Sequence, residues 1–222
     1  MLTRLLSKTV TTGVLIIGLG LGVVTLGVAA RSYHLPDNHQ GYEPEQPIAF
    51  SHRLHAGELS MDCRYCHTAA DKSRHAGIPP AGVCMNCHKF VTAPIGAVRA
   101  EDQKAEEEQR SPELLVSSEL AKLYAAMGLD EKLEPDPGTQ AEGIEWVKIH
   151  NLPDYVYFDH RPHVNAGVAC QTCHGNVETM ERVRQMESLS MGWCVNCHRQ
   201  SNQVGVQGMP VNAPTDCATC HY

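Results

Sequence analysis

Five times in this chain two cysteines separated by two residues are followed at once by a histidine: "CRYCH" (63–67), "CMNCH" (84–88), "CQTCH" (170–174), "CVNCH" (194–198) and "CATCH" (217–221). These copies use all ten cysteines. Cys-x-x-Cys-His is the attachment signature of c-type haem. The two thiols form thioethers with the two vinyl groups of one porphyrin, and the adjoining histidine turns beneath the ring to bind iron. On this reading Cys63, Cys66, Cys84, Cys87, Cys170, Cys173, Cys194, Cys197, Cys217 and Cys220 hold five haems, and His67, His88, His174, His198 and His221 are the proximal ligands. Other uses of paired cysteines fit less well. Zinc sites combine Cys-x-x-Cys pairs, but five pairs do not divide into four-cysteine sites, and zinc needs no histidine after each. A disulfide framework suits an oxidising compartment and leaves the histidines unexplained. A thioredoxin-like motif occurs once, beside a βαβ pattern, and no such pattern is visible.

A longer duplication surrounds the motifs. "FSHRLHAGELSMDCRYCH" (50–67) aligns with "FDHRPHVNAGVACQTCH" (158–174) across a one-residue gap. Each copy has a Phe-x-His-x-x-His prelude, a first haem motif and a second motif about twenty residues on. Such self-similarity points to duplicated modules. The preludes supply His52 and His55 in one half, His160 and His163 in the other. Histidines at i and i+3 on a helical turn share a side, so each prelude can serve two neighbouring irons. A second axial histidine makes haem iron six-coordinate and suited to electron transfer, whereas an open position suits ligand binding or catalysis. Four distal histidines leave one iron short. Met191, three residues before Cys194, is the first choice, followed by His75 and His150, with Met180 and Met186 as further candidates. Methionine there would raise that haem's potential.

The elements that must position these residues are short of ordinary core material. Aromatic residues make up 5% of the chain and include three Phe, although domains of this size normally fill their interiors with large aromatic and aliphatic side chains. Net charge is −7 with histidine neutral, which argues against a nucleic-acid binder with its basic patch. Residues 10–30 carry no charge and are long enough to span a bilayer, whereas the apolar region of a signal peptide is usually about 7–15 residues. Arg4 and Lys8 ahead of this span favour a cytoplasmic N-terminus and an outward-facing remainder. Gly13, Gly18, Gly20, Gly22 and Gly27 give the span small residues against which another membrane helix could pack. Residues 101–110 read as a solvated charge run. Residues 111–128 read as a helix, with Ser111 as cap, Pro112 in the first turn and Gly128 as stop. Val116, Leu120, Leu123, Tyr124 and Met127 form its packing face. Residues 130–143 read as a turn-rich linker, and no strand alternation is convincing. The expected organisation is an anchor at 1–31, a dihaem module at 32–100, a charged linker with one helix at 101–145 and a trihaem module at 146–222. The expected fold is mainly α with much irregular loop, wrapped on a haem stack.

Each module resembles the small class III multihaem cytochromes in placing Phe-x-His-x-x-His ahead of its haem motifs. That resemblance implies that His52 pairs with His67, His55 with His88, His160 with His174 and His163 with His198. It also implies a third distal ligand near position 191, opposite His221. The full chain, with its anchor, its motifs split two and three, "HNLPDYVYFDHRPHV" and "LSMGWCVNCHR", resembles the pentahaem cytochrome c subunit of bacterial alternative complex III. This second resemblance implies a single-pass protein of the bacterial inner membrane with its haems on the periplasmic face. It would relay electrons within a quinol:electron-acceptor oxidoreductase and carry no bond-making residues of its own. Its implied partners are an iron–sulfur subunit and polytopic quinol-binding subunits, with a monohaem cytochrome c or a terminal oxidase as acceptor. The alternative is a free-standing anchored quinol dehydrogenase feeding a periplasmic reductase. A catalytic multihaem reductase would need an open iron, and enough His and Met are present to close all five.

Overall fold

The computed structural model describes residues 2–32 and 38–221, with side chains over 10–29 and 38–221. It divides into two units, residues 1–38 and 39–222. In the first, α1 (Leu2–Ser32) is one unbroken helix. Its segment Val10–Ala29 has a mean hydropathy of 2.2. At 1.5 Å per residue that segment is about 30 Å long, the thickness of a bilayer core. By length and composition it qualifies as a membrane anchor or a signal sequence. The side chains of Arg4 and Lys8, on which the expected orientation rests, lie outside those described.

The second unit consists of short helices joined by loops. Its α-helices are α2 (Cys63–Cys66), α3 (Ala81–His88), α4 (Ile95–Glu107), α5 (Ser118–Ala126), α6 (His160–Asn165), α7 (Gln171–His174), α8 (Met191–Val204) and α9 (Cys217–Cys220). A π-helical turn at Arg53–Glu58 and a 3-10 turn at Val177–Thr179 complete the set. Among the described residues there is no strand, only isolated bridges such as Val156 with His221. This is the mainly helical, loop-rich fold expected from the sequence.

Two local expectations are corrected. The helix expected over 111–128 starts at Ser118, because Ser117 caps it by accepting from the Leu120 amide at 3.3 Å. The residues before it are held extended along Thr92. The Thr92 hydroxyl donates to Leu115 O at 2.6 Å, and the Ser117 amide donates to Thr92 O at 2.9 Å. Two competing serine caps were available, and the tertiary contact selected the later one. The run 101–110 is not simply solvated, since α4 extends through it to Glu107 and buries Ala105. Its apolar positions Ile95, Val98 and Ala105 sit at helical spacing that the charges between them disguise. At its end Arg110 clamps Glu101, whose carboxylate also accepts from the Glu113 amide at 2.9 Å.

Among the described residues the buried apolar side chains are Ala70, Ala93, Ala105, Leu123 and Tyr124. Leu123 and Tyr124 fix α5 against α3, where Tyr124 OH donates to His88 O at 2.6 Å. Burying a large apolar side chain contributes about 1.5–3 kcal/mol, so this contact secures one helix and is far from a full interior. The side chains therefore do not form a conventional core, in keeping with a chain built around bound rings.

Candidate functional site

Each Cys-x-x-Cys string lies on a helical turn, which places its cysteines at i and i+3 on one side. Local caps start these turns. Asp62 accepts from the Arg64 amide ahead of Cys63, Ser190 from the Trp193 amide ahead of Cys194, and Asp216 from the Thr219 amide around Cys217. Pro80 occupies the cap of α3, where its missing N–H costs nothing. No disulfide joins the ten cysteines. Among the described residues, no group of three or more His, Cys, Asp or Glu converges as a metal cage.

Three of the motif histidines are turned by their own ring nitrogens. Nδ1 of His67 lies 2.7 Å from Gly77 O, Nδ1 of His88 2.8 Å from Val91 O, and Nδ1 of His198 2.5 Å from Pro214 O. A backbone carbonyl can only accept, so Nδ1 carries the proton and Nε2 is left with its lone pair. This is how histidine is prepared to ligate a metal. His174 differs from these three, with its Nδ1 3.1 Å from Nε2 of His150. His150 is itself held in place, since the next residue, Asn151, donates its amide to the fully buried Gln185 at 3.0 Å. It therefore stands behind the His174 ring. Burial first, then His150, His160 and His67, hold His174 down at about 3. It stays neutral, the form that binds metal.

The prelude histidines face these rings. His55 and His88 have ring centres 6.1 Å apart, His160 and His174 6.4 Å, and His163 and His198 5.9 Å. His52 is largely buried, and burial followed by repulsion from His67 and His55 lowers its pKa to about 4. With metal–imidazole bonds of about 2 Å, as at zinc, imidazoles on opposite sides of one ion have ring centres roughly 6 Å apart. The three measured pairs have that spacing. The preludes hold their rings by the same device as the motifs, Nδ1 of His55 lying 2.8 Å from Ser51 O and that of His163 2.8 Å from Asp159 O. Nδ1 of His160 lies 2.8 Å from Arg74 O, and the Arg74 guanidinium in turn covers the Tyr157 ring at 4.3 Å. Thiols, opposed imidazoles and a sparse interior together fit covalently bound haem.

The structure places the fifth-ligand candidates apart. Met191 begins α8 and is 70% exposed. His75 is exposed, and His150 is engaged with His174. His221 is bracketed by the bridge to Val156 and by Tyr155, whose ring lies 5.8 Å away. The acceptors Gly77, Val91, Pro214 and Arg74 could not have been found from their side chains, because each acts through its backbone carbonyl.

Residues 156–222 match the family model described as cytochrome c7 and related cytochrome c. Over 199 residues the chain is 24% identical to "Menaquinone reductase, multiheme cytochrome c subunit" of Nitratidesulfovibrio vulgaris, a match covering 81% of this chain and 78% of that protein. The second unit thus contains a multihaem cytochrome c domain.

Proposed function

We propose that this chain is a membrane-anchored pentahaem c-type cytochrome that relays electrons within a quinol:electron-acceptor oxidoreductase. The observation that carries the reading is the set of opposed histidine pairs about 6 Å apart, each with one ring supplied by a Cys-x-x-Cys-His motif. Bound haem iron supplies one-electron exchange between Fe(III) and Fe(II). The protein's own contribution is to fix the rings, exclude water from them and close both axial positions. His52, His55, His160 and His163 are the proposed distal ligands of His67, His88, His174 and His198. Met191 is proposed opposite His221, with His75 and His150 as the other candidates.

The likeness to a menaquinone reductase subunit supports a place beside quinol-handling subunits. The finer assignment is to alternative complex III. An iron–sulfur subunit and polytopic quinol-binding subunits would be its neighbours, and a monohaem cytochrome c or terminal oxidase its acceptor. With α1 as an uncleaved anchor, the second unit would lie on the periplasmic face of the inner membrane.

Mass spectrometry combined with low-temperature electron paramagnetic resonance tests this reading. Five covalent haems are expected, four with bis-histidine signals and one with a histidine–methionine signal. A mass lacking five haems would refute the proposal. Purified chain that takes electrons from quinol without partner subunits would refute its place in a complex.

A further inference from the structure

The five motif sites, numbered first to fifth along the chain, are tied together in an order that differs from the sequence. The prelude turns set the local pairs. His52 and His55 share one turn beside the first motif, and His55 faces His88 of the second site. Nδ2 of Asn86 on α3 also donates to Tyr65 OH on α2 at 3.1 Å. His160 and His163 on α6 join the third and fourth sites in the same way. The fifth site is bound to the fourth. Pro214 O receives Nδ1 of His198, while Asn202 of α8 both donates to Ala213 O at 2.8 Å and accepts from the Ala213 amide at 2.6 Å.

The join between the two modules is reciprocal. Gly57, seven residues past Phe50, lies so near Glu178 O that an added Cβ would collide with it. Asn165, seven residues past Phe158, donates from Nδ2 to Asp71 O at 3.4 Å. Glu178 and Asp71 each stand four residues after their motif histidine. In one direction the Arg53 amide donates to Met180 O at 2.9 Å, and in the other the His160 amide donates to Arg74 O at 3.1 Å. Such mutual contact between equivalent surfaces is the mark of a twofold, isologous interface, here formed within one chain. It brings together the motifs nearest the two preludes, and the thiols of Cys63 and Cys170 meet across it.

We infer that the sites run in space as second, first, third, fourth, fifth, with the first and third facing each other across an internal pseudo-twofold junction. This rests on the proposed haem occupancy. The second and fifth sites are then the ends at which electrons are exchanged with partners. Each electron crosses the first-to-third step, the reduced site losing the electron that its neighbour gains. The second and third motifs, although consecutive in sequence, are not neighbours in the path.

A site-resolved redox titration by NMR of the five-haem protein carrying His160→Met tests the order. Methionine raises the third site's potential, so that site is reduced first, and its lost positive charge lowers the potentials of its nearest neighbours. The largest downward shifts are expected at the first and fourth sites and smaller ones at the second and fifth. Shifts largest at the second or fifth would overturn the order. If the variant does not take up five haems, a structure of the native haem-loaded protein decides. The rings on Cys63/Cys66 and Cys170/Cys173 must be nearest neighbours, and a second-site ring against the third or fourth overturns the inference. A native mass without five haems would refute the occupancy on which the inference rests, whereas five haems in another order would refute the inference alone.

Discussion

In the first prelude Phe50 meets His52 edge-on at 4.9 Å and stacks on His55 at 4.3 Å; in the second, Phe158 meets His160 edge-on at 4.9 Å and stacks on His163 at 4.8 Å. The ring arrays are nearly the same, but the backbones beneath them differ. The first is a π-helical turn whose cap position, His52, makes no side-chain capping bond, and the second is an α-helical turn capped by Asp159 onto the Arg161 amide. The second-nitrogen partners differ too. His160 has Arg74 O, whereas Nδ1 of His52 is buried without a partner. Behind the motif rings, His67 has a backbone carbonyl and His174 has another imidazole. A duplicated frame thus carries like candidate ligands on unlike supports. Support of this kind tunes the basicity of a ligand and hence the potential of its metal.

The largest break in this comparison should come at the junction. Gly57→Val forces a side chain into Glu178 O and is expected to destabilise the haem-loaded protein by about 1–3 kcal/mol, read by chemical denaturation. At the equivalent position in the second prelude, Asn165→Ala removes one exposed bond and should cost no more than about 0.5 kcal/mol. Equal effects would show that the reciprocal contact does not hold the modules together.

The difference behind the motif rings is next in size. Loss of the hydrogen-bond partner behind a ligating histidine typically weakens a metal site about 10–100-fold. His150→Phe removes the acceptor from His174 Nδ1 and should raise the potential of one haem, leaving the other four in place. His150→Gln, which keeps an acceptor oxygen, should restore most of the native value. A uniform shift of all five would reduce His150 to a packing role.

Removing the cap of the second prelude with Asp159→Ala is expected to cost about 1 kcal/mol, read by thermal denaturation, and to broaden the histidine signal assigned to His160. In the first prelude the matching group is Ser51, whose hydroxyl accepts from the Leu54 amide at 3.1 Å. Ser51→Ala should have the smaller effect, because the π-helical turn relies less on that bond.

The smallest effect is a control that touches neither prelude. Hydrogen bonding to Arg110, then to the Glu113 amide, lowers the Glu101 pKa from 4.5 to about 2. A depressed carboxylate pKa contributes stability above its unfolded value and loses it as pH falls towards the folded one. The clamp at the end of α4 should therefore weaken as pH drops from about 4.5 to 2, as followed by amide exchange. Glu101→Gln should abolish this dependence, and both preludes should respond alike.

The motifs and preludes were legible because covalent attachment and axial ligation demand particular residue types at short, fixed spacings. "CMNCH" says what it can hold before anything folds. The start of α5 was less legible, since Ser111 and Ser117 are both competent caps and only the pairing of 115–117 with Thr92 chooses between them. α4 was hidden by its charges. The placement of His150 was out of reach, because a lone histidine 24 residues before a motif's own histidine gives no sign that it will meet that ring from behind.

The sequence by itself determined the fivefold motif, the duplication, the apolar N-terminal span and the shortage of ordinary core residues. Each of these is a property of residue type and local spacing. The tertiary structure alone decided which ring faces which, which carbonyl turns each imidazole, and that the first and third motifs meet where the modules join. The junction contacts join residues 86 and 94 apart in the chain, and local spacing cannot set the distance between chain segments that only packing brings together.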